Sequence, residues 1–262
     1  MCRHVAYIGP AVPLDALIAL PPFGLEKQSY APRRQVHGVV NADGFGVGWY
    51  RPGAPYPVRY RRAVPIWGDE NLRQLAVATT SSAILGAVRS ATPGHPISEG
   101  ACAPFATGRW LFSHNGALPG WPECADVLGA GLAPRALARQ QTLIDSTLLW
   151  ALLLARFDAG DDPVEATATL TAQARALTGG RVNLLLHDGA RIIATAAGDT
   201  LCYRQGAHPG PDGTPAPGVI VASEPFDDSD GWVEVPDDHL LVATADDVVV
   251  RPLVSTLEEV PS

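Results

Sequence analysis

With 47% hydrophobic and 18% charged residues, a chain of 262 residues can bury one large core. Its 27 acidic against 19 basic residues leave a formal net charge of −8, which argues against nucleic acid as a partner. No apolar run nears the ~20 residues of a membrane span; the longest, residues 147–155, lies between Asp145 and Arg156 and reads as a buried helix.

Residues 2–8 are β-branched and aromatic enough for a first strand, and residues 14–20 carry the apolar spacing of a short helix. The apolar start at residues 5–14 is interrupted by Pro10 and Pro13 and offers no cleavage site, so a cytoplasmic protein is expected. Residues 21–44, rich in Pro, Gly, Arg, Gln and His, show no long period and read as a functional loop. Strands follow at 45–50 and 58–64, then a short helix at 71–75 and further strands at 83–89 and 109–114. Two long helices are expected at 145–157, with Asp145 or Ser146 as N-cap, and at 163–177. Strands at 182–187, 191–196, 218–222, 239–243 and 248–254 complete an α+β pattern. The stretch 204–218 has too little apolar surface to order itself and reads as a mobile loop.

Removal of Met1, which the small second residue favours, would leave Cys2 with a thiol and a free α-amine on one carbon. An α-amine with a pKa of about 7.7–8.0 can take the proton of a thiol near 8.5, so nucleophile and base come in one residue. A frayed terminus is the bland alternative. Cys2, Cys102, Cys124 and Cys202 form no C-x-x-C pair, and the seven histidines form no H-x-H or H-E-x-x-H spacing. No disulfide framework, metal or cofactor is therefore expected.

The glycines of residues 41–49 lead into a strand rather than a helix, which argues against a nucleotide loop and for close backbone approach. Ser113-His114-Asn115-Gly116 ends a strand; Asn115 and Gly116 fit an oxyanion hole or an ordinary Asn-Gly turn. Arg89, before Ser90-Ala91-Thr92-Pro93-Gly94, fits a carboxylate fork or a structural arginine. Asp145 fits a helix cap or an acceptor for an ammonium.

The order of these features resembles the class II glutamine amidotransferases of the N-terminal-nucleophile (Ntn) hydrolase superfamily, from Cys2 to about residue 255, with Ala222-Ser223-Glu224-Pro225 a late match. The resemblance implies a single domain over residues 2–262 folded as a four-layer αββα sandwich, with Cys2 at the end of a central strand. It implies Cys2 as nucleophile and Asn115 with Gly116 as oxyanion hole. Arg89 and Thr92 would hold the α-carboxylate of a small-molecule γ-glutamyl substrate and Asp145 its α-ammonium, with His114 counted beside them. Residues 28–35 and 41–50 look most like the branch that hydrolyses γ-glutamyl-hercynylcysteine S-oxide in ergothioneine biosynthesis. Ser90 replaces an aromatic and Pro93 a histidine found in some amide-transferring members, and no synthase domain follows. The alternatives are a glutaminase serving a separate partner synthase, or a silent γ-glutamyl-binding domain. Tyr30, Trp49 and Trp67 are candidates for an aromatic surface facing a cationic leaving group, or equally core aromatics.

Overall fold

The computed structural model describes residues 2–38, 40–209 and 213–253. The first strand, β1 (Cys2–Pro13), outruns its predicted end; the prolines are tolerated because its register against its neighbour shifts between Ile8 and Val12. Then come α1 (Asp15–Ile18), α2 (Leu25–Tyr30), β2 (Phe45–Trp49), β3 (Val58–Arg62), α3 (Glu70–Ala78) and β4 (Thr80–Arg89). The middle of the chain holds β5 (Phe105–Thr107), β6 (Trp110–Ala117), α4 (Cys124–Leu128), α5 (Pro134–Ala138), α6 (Asp145–Ala159) and α7 (Pro163–Thr178). It closes with β7 (Arg181–His187), β8 (Ile192–Ala196), β9 (Cys202–Pro209), β10 (Pro215–Ala222), β11 (Val233–Glu234), β12 (His239–Ala243) and β13 (Val248–Pro252).

These strands make two antiparallel sheets, ordered β11-β9-β10-β1-β4-β2-β3 and β13-β12-β8-β7-β6-β5. The period of two along β1 explains the layering. Val5 and Tyr7 enter an outer core with Leu17, Leu25 and Leu72 of α1 to α3. Ala6 and Ile8 enter the core between the sheets, against Leu185, Ala194 and Leu241. The far face of the second sheet packs Phe112, Leu184 and Ile193 on Leu149 and Trp150 of α6 and Leu170 of α7. Phe112 and Trp150 stack there at 5.0 Å, and each such buried side chain stabilises by roughly 1.5–3 kcal/mol. The sequence of layers is helix, sheet, sheet, helix, as the four-layer expectation had it. No helix among the described residues is long and apolar enough to cross a membrane.

Two expectations need correction. Residues 21–44 are not loop throughout, since α2 lies within them. The stretch 204–218 is not a loop on its described flanks: β9 and β10 pair from Cys202↔Ala222 to Pro209↔Pro215, while 210–212 lie outside the described residues. Order there comes from the main-chain pairing of β9 with β10, whose far ends are anchored at residues 219–222 to β1 and at residues 202–203 to β11. A composition argument that counts only apolar side chains misses that contribution.

Candidate active site

Cys2 opens β1 in the middle of the first sheet, its Cα directly opposite Arg89 at the end of β4. Its nitrogen donates to Asn115 Oδ1 on the second sheet at 3.1 Å, so one hydrogen bond joins the two sheets at the start of the chain. Met1 lies outside the described residues. The half-buried thiol is pushed above its ordinary pKa by desolvation; the nearby Arg89 guanidinium works against that rise and the Asp145 carboxylate adds to it. A thiol in this position needs a base to become a thiolate at neutral pH.

β6 does not stop at His114. It runs to Ala117, placing Asn115 and Gly116 opposite Asn183 and Val182 of β7, so the Asn-Gly turn is ruled out. A Cβ on Gly116 would stand 1.8 Å from the Arg181 carbonyl oxygen, and only glycine lets the strands meet so closely there. Asn115 is fully buried, and its Nδ2 has no hydrogen-bond partner among the described residues. A buried amide N–H left unpaired costs stability, and this one belongs to the residue that holds the Cys2 nitrogen.

Arg89 is fixed at three points. Its N–H donates to Gly44 O at 2.8 Å, its carbonyl accepts from Asp43 N at 2.9 Å, and its Nη1 donates to Pro96 O at 3.0 Å. Its Nη2 is buried and has no hydrogen-bond partner among the described residues. Gly44 has φ +138° and no room for a Cβ, which would lie 2.3 Å from Cys102 Sγ. Gly46 and Gly48 likewise admit Ala103 O and the Leu111 side chain, so the glycines serve close approach, as expected.

Asp145 is the first residue of α6 and not its cap. Ile144 holds that position, its N–H donating to Thr147 Oγ1 at 3.0 Å. The Asp145 carboxylate, buried beside the positive end of α6, accepts from Ser146 N at 2.7 Å and Leu118 N at 3.3 Å. His114 lines the cavity at Cys2 with Arg89 and Ser146. Both its ring nitrogens are engaged, Nδ1 with Ser146 Oγ at 3.0 Å and Nε2 with Arg181 O at 3.1 Å, so it braces the wall. Thr92 is half-buried in the turn after β4, where its carbonyl accepts from His95 N at 2.9 Å.

Cys2, Arg89, Asn115, Gly116, His114 and Asp145 thus converge on one end of the two sheets. Trp49 does not join them: it is buried in the outer core. Tyr30 and Trp67 pack edge-on to each other at 5.5 Å, with Lys27 Nζ 4.9 Å from the Tyr30 ring centroid.

Three residues at this end were not anticipated. His95 Nδ1 stands 4.0 Å from Asp145 Oδ1, with its Nε2 buried and without a hydrogen-bond partner among the described residues; desolvation lowers its pKa, and Asp145 opposes the shift. Only the folded 90–98 loop brings it there, so no sequence signal marks it. His4 shares the inward face of Cys2, with Nδ1 3.3 Å from Ser113 Oγ, and burial lowers its pKa to about 3. Its spacing of two on a strand was a usable signal. Arg3, on the opposite face, is 1% exposed and donates to Gln35 Oε1 at 3.1 Å.

The family of glutamine amidotransferases class-II matches residues 23–214. A protein of Mycobacterium tuberculosis named gamma-glutamyl-hercynylcysteine sulfoxide hydrolase is 42% identical over 254 residues, covering 97% of each chain. A protein of the same name from Mycolicibacterium smegmatis is 41% identical over 253 residues, covering 97% of this chain and 100% of its own. Among solved structures, a glutamine aminotransferase class-II domain protein from Silicibacter pomeroyi superposes with a TM-score of 0.67 at 25% identity, covering 95% of this chain and 97% of that one.

Proposed function

The chain belongs to the class II glutamine amidotransferases, and from that membership we propose that it hydrolyses the γ-glutamyl amide of γ-glutamyl-hercynylcysteine sulfoxide, releasing glutamate in ergothioneine biosynthesis. The observation that carries the reading is the Cys2 nitrogen bonded to Asn115 Oδ1 while Asn115 Nδ2 and Arg89 Nη2 stay buried beside it with no partner among the described residues. Two buried donors next to a nucleophile are what an oxyanion and a substrate carboxylate require.

In this reading Met1 is removed and the α-amine of Cys2 takes the thiol proton. The sulfur attacks the γ-carbonyl carbon, and the oxyanion is held by Asn115 Nδ2 and the Gly116 N–H. The tetrahedral adduct collapses, the C–N bond breaks, and the departing amine receives the proton from the α-ammonium. Water then attacks the thioester, its proton returns to the sulfur, and glutamate leaves. Arg89 grips the α-carboxylate by the fork geometry that a lysine lacks. Asp145 takes the α-ammonium, with Thr92 at the carboxylate end and His114 holding the wall. Gripping both charges orients the amide and rejects amides without them. Four free cysteines suit a reducing, cytoplasmic setting, and the partner is a small molecule.

Initial rates on γ-glutamyl-hercynylcysteine sulfoxide and on free glutamine test the assignment. It requires kcat/KM for the sulfoxide to exceed that for glutamine by at least about tenfold, or ~1.4 kcal/mol of transition-state binding. Equal or better use of glutamine would make the protein a glutaminase for a separate synthase.

A further inference from the structure

Thr92-Pro93-Gly94-His95 has Pro at the second position and Gly at the third, the pattern of a type II turn, and Gly94 takes the positive φ, +89°, that such a turn requires there. The His95 N–H closes the turn on Thr92 O at 2.9 Å. Pro96 follows, and its carbonyl is the one that fixes Arg89 Nη1 at 3.0 Å. One short segment therefore anchors the Arg89 fork and lays the His95 ring beside Asp145, with both of these side chains 6% exposed. Trp121 backs the ring edge-on at 6.0 Å between centroids.

Asp145 is a buried carboxylate held only by neutral donors: Ser146 N at 2.7 Å, Ser146 Oγ at 3.3 Å and Leu118 N at 3.3 Å. No Arg or Lys among the described residues pairs with it; the one group of the chain that could become its counter-ion is His95, whose Nδ1 lies 4.0 Å from Oδ1. That gap is too long for a hydrogen bond and short enough for charges to couple strongly. A carboxylate at this range draws the proton of a neutral imidazole to Nδ1, and an N–H so aimed orients the carboxylate without cancelling its charge. An imidazolium would cancel it, and its second N–H, on Nε2, would be buried with no acceptor among the described residues. The surroundings act in the same direction. Burial favours the neutral ring, and Arg89 from β4, His114 from β6 and the charged amine at the start of the chain reinforce this against Asp145 from α6.

We propose that His95 is a positioning residue acting through Asp145: as a neutral ring it aims the carboxylate and leaves its charge for a ligand, so it sets how strongly the site prefers an α-amino acid over the same chain without its amine. The proposal rests on the reading of Asp145 as the acceptor of the α-ammonium. A permanent cation at position 95 would take the carboxylate in the ligand's place. An apolar side chain would leave the carboxylate charged but unaimed. Histidine avoids both outcomes while it stays neutral, and protonation of its ring and binding of an ammonium are alternatives at one carboxylate.

Ligand-observed NMR titration of the intact chain with glutamate, and separately with glutarate, which lacks only the α-amine, gives the preference as a ratio of dissociation constants. His95→Leu should lower that ratio by about fivefold at pH 7.5 and leave glutarate binding within about twofold of the parent. His95→Asn keeps an N–H near the place of Nδ1 and cannot become a cation, so its ratio should stay within about twofold of the parent's. Between pH 7.5 and 5 the ligand's own ammonium stays charged. Over that range the parent's ratio should fall by at least about twofold as the ring takes up a proton, while that of His95→Asn stays level. An unchanged ratio in His95→Leu, equal losses for both ligands, or the same acid loss in His95→Asn would overturn the role of His95 and leave Asp145 as the ammonium acceptor. Equal binding of glutamate and glutarate by the parent would remove the Asp145 reading itself, and His95 with it.

Discussion

At the scale of single residues, the account turns on which polar atoms are already taken. Asn115 spends its oxygen on the Cys2 nitrogen and keeps its Nδ2 free, so Asn115→Ala should remove an oxyanion donor. The expected loss in kcat is about 10²–10³-fold with little change in KM; steady-state kinetics on the sulfoxide decide it, and a variant within a few-fold of the parent would remove Asn115 from the site. Arg89→Lys keeps the charge and loses the fork. It should lower kcat/KM by roughly tenfold or more, which a substrate titration reads directly. That Cys2, Arg89, Asn115 and Asp145 gather at one end of the sheets was legible in the sequence because each stands at or near an element end, in an order that matches a family. His95 was not, because only the turn from Ala91 to Pro96 folds it onto Asp145. Trp49 shows a related limit: aromatic character says nothing about which layer a residue enters, and Trp49 enters the outer core.

At the scale of elements, residues 31–38 and 40–43 are held at the Cys2 end of the first sheet. Glu224 accepts the backbone N–H groups of Arg33 and Arg34, and Gln35 Oε1 accepts from both Arg3 Nε and Asn41 Nδ2. Glu224→Gln replaces a carboxylate by one carbonyl oxygen and should cost about 1–3 kcal/mol. Hydrogen exchange should accelerate at Arg33 and Arg34 and leave β6 protected; uniform acceleration would mean that Glu224 supports the whole sheet instead. The sequence reading of residues 21–44 as a functional loop missed α2, since six residues are too few for a helical period to show. The strands were easier, their alternation surviving almost everywhere. Their ends were not: the Asn-Gly pair looks like a turn locally, and only the pairing of β6 with β7 carries the strand through it.

At the scale of the whole molecule, two sheets close over buried histidines. His187 Nε2 lies 3.0 Å from Tyr7 O across the interface, and burial lowers its pKa to about 4, with His4 at about 3. Both bind fewer protons folded than unfolded, where histidine titrates near ~6.5. Their contribution is therefore complete above that pH and is lost as pH falls from ~6.5 toward the folded values. The slope reaches at most ~1.4 kcal/mol per pH unit for each histidine. Urea midpoints taken at pH 7.5, 6 and 5 should fall in that order, and a flat series would place both rings in water. The facing of one sheet on the other was legible only through family resemblance, because strand periodicity shows that a face is buried but not against what. The central claim is that residue 2, with its amine exposed by loss of Met1, is the nucleophile. Intact-mass and peptide analysis after treatment with a glutamine-like diazoketone tests it most directly. The account predicts a single adduct on Cys2 in chains lacking Met1, with Cys102, Cys124 and Cys202 unmodified; an adduct on another cysteine, or full activity in chains that retain Met1, would contradict it.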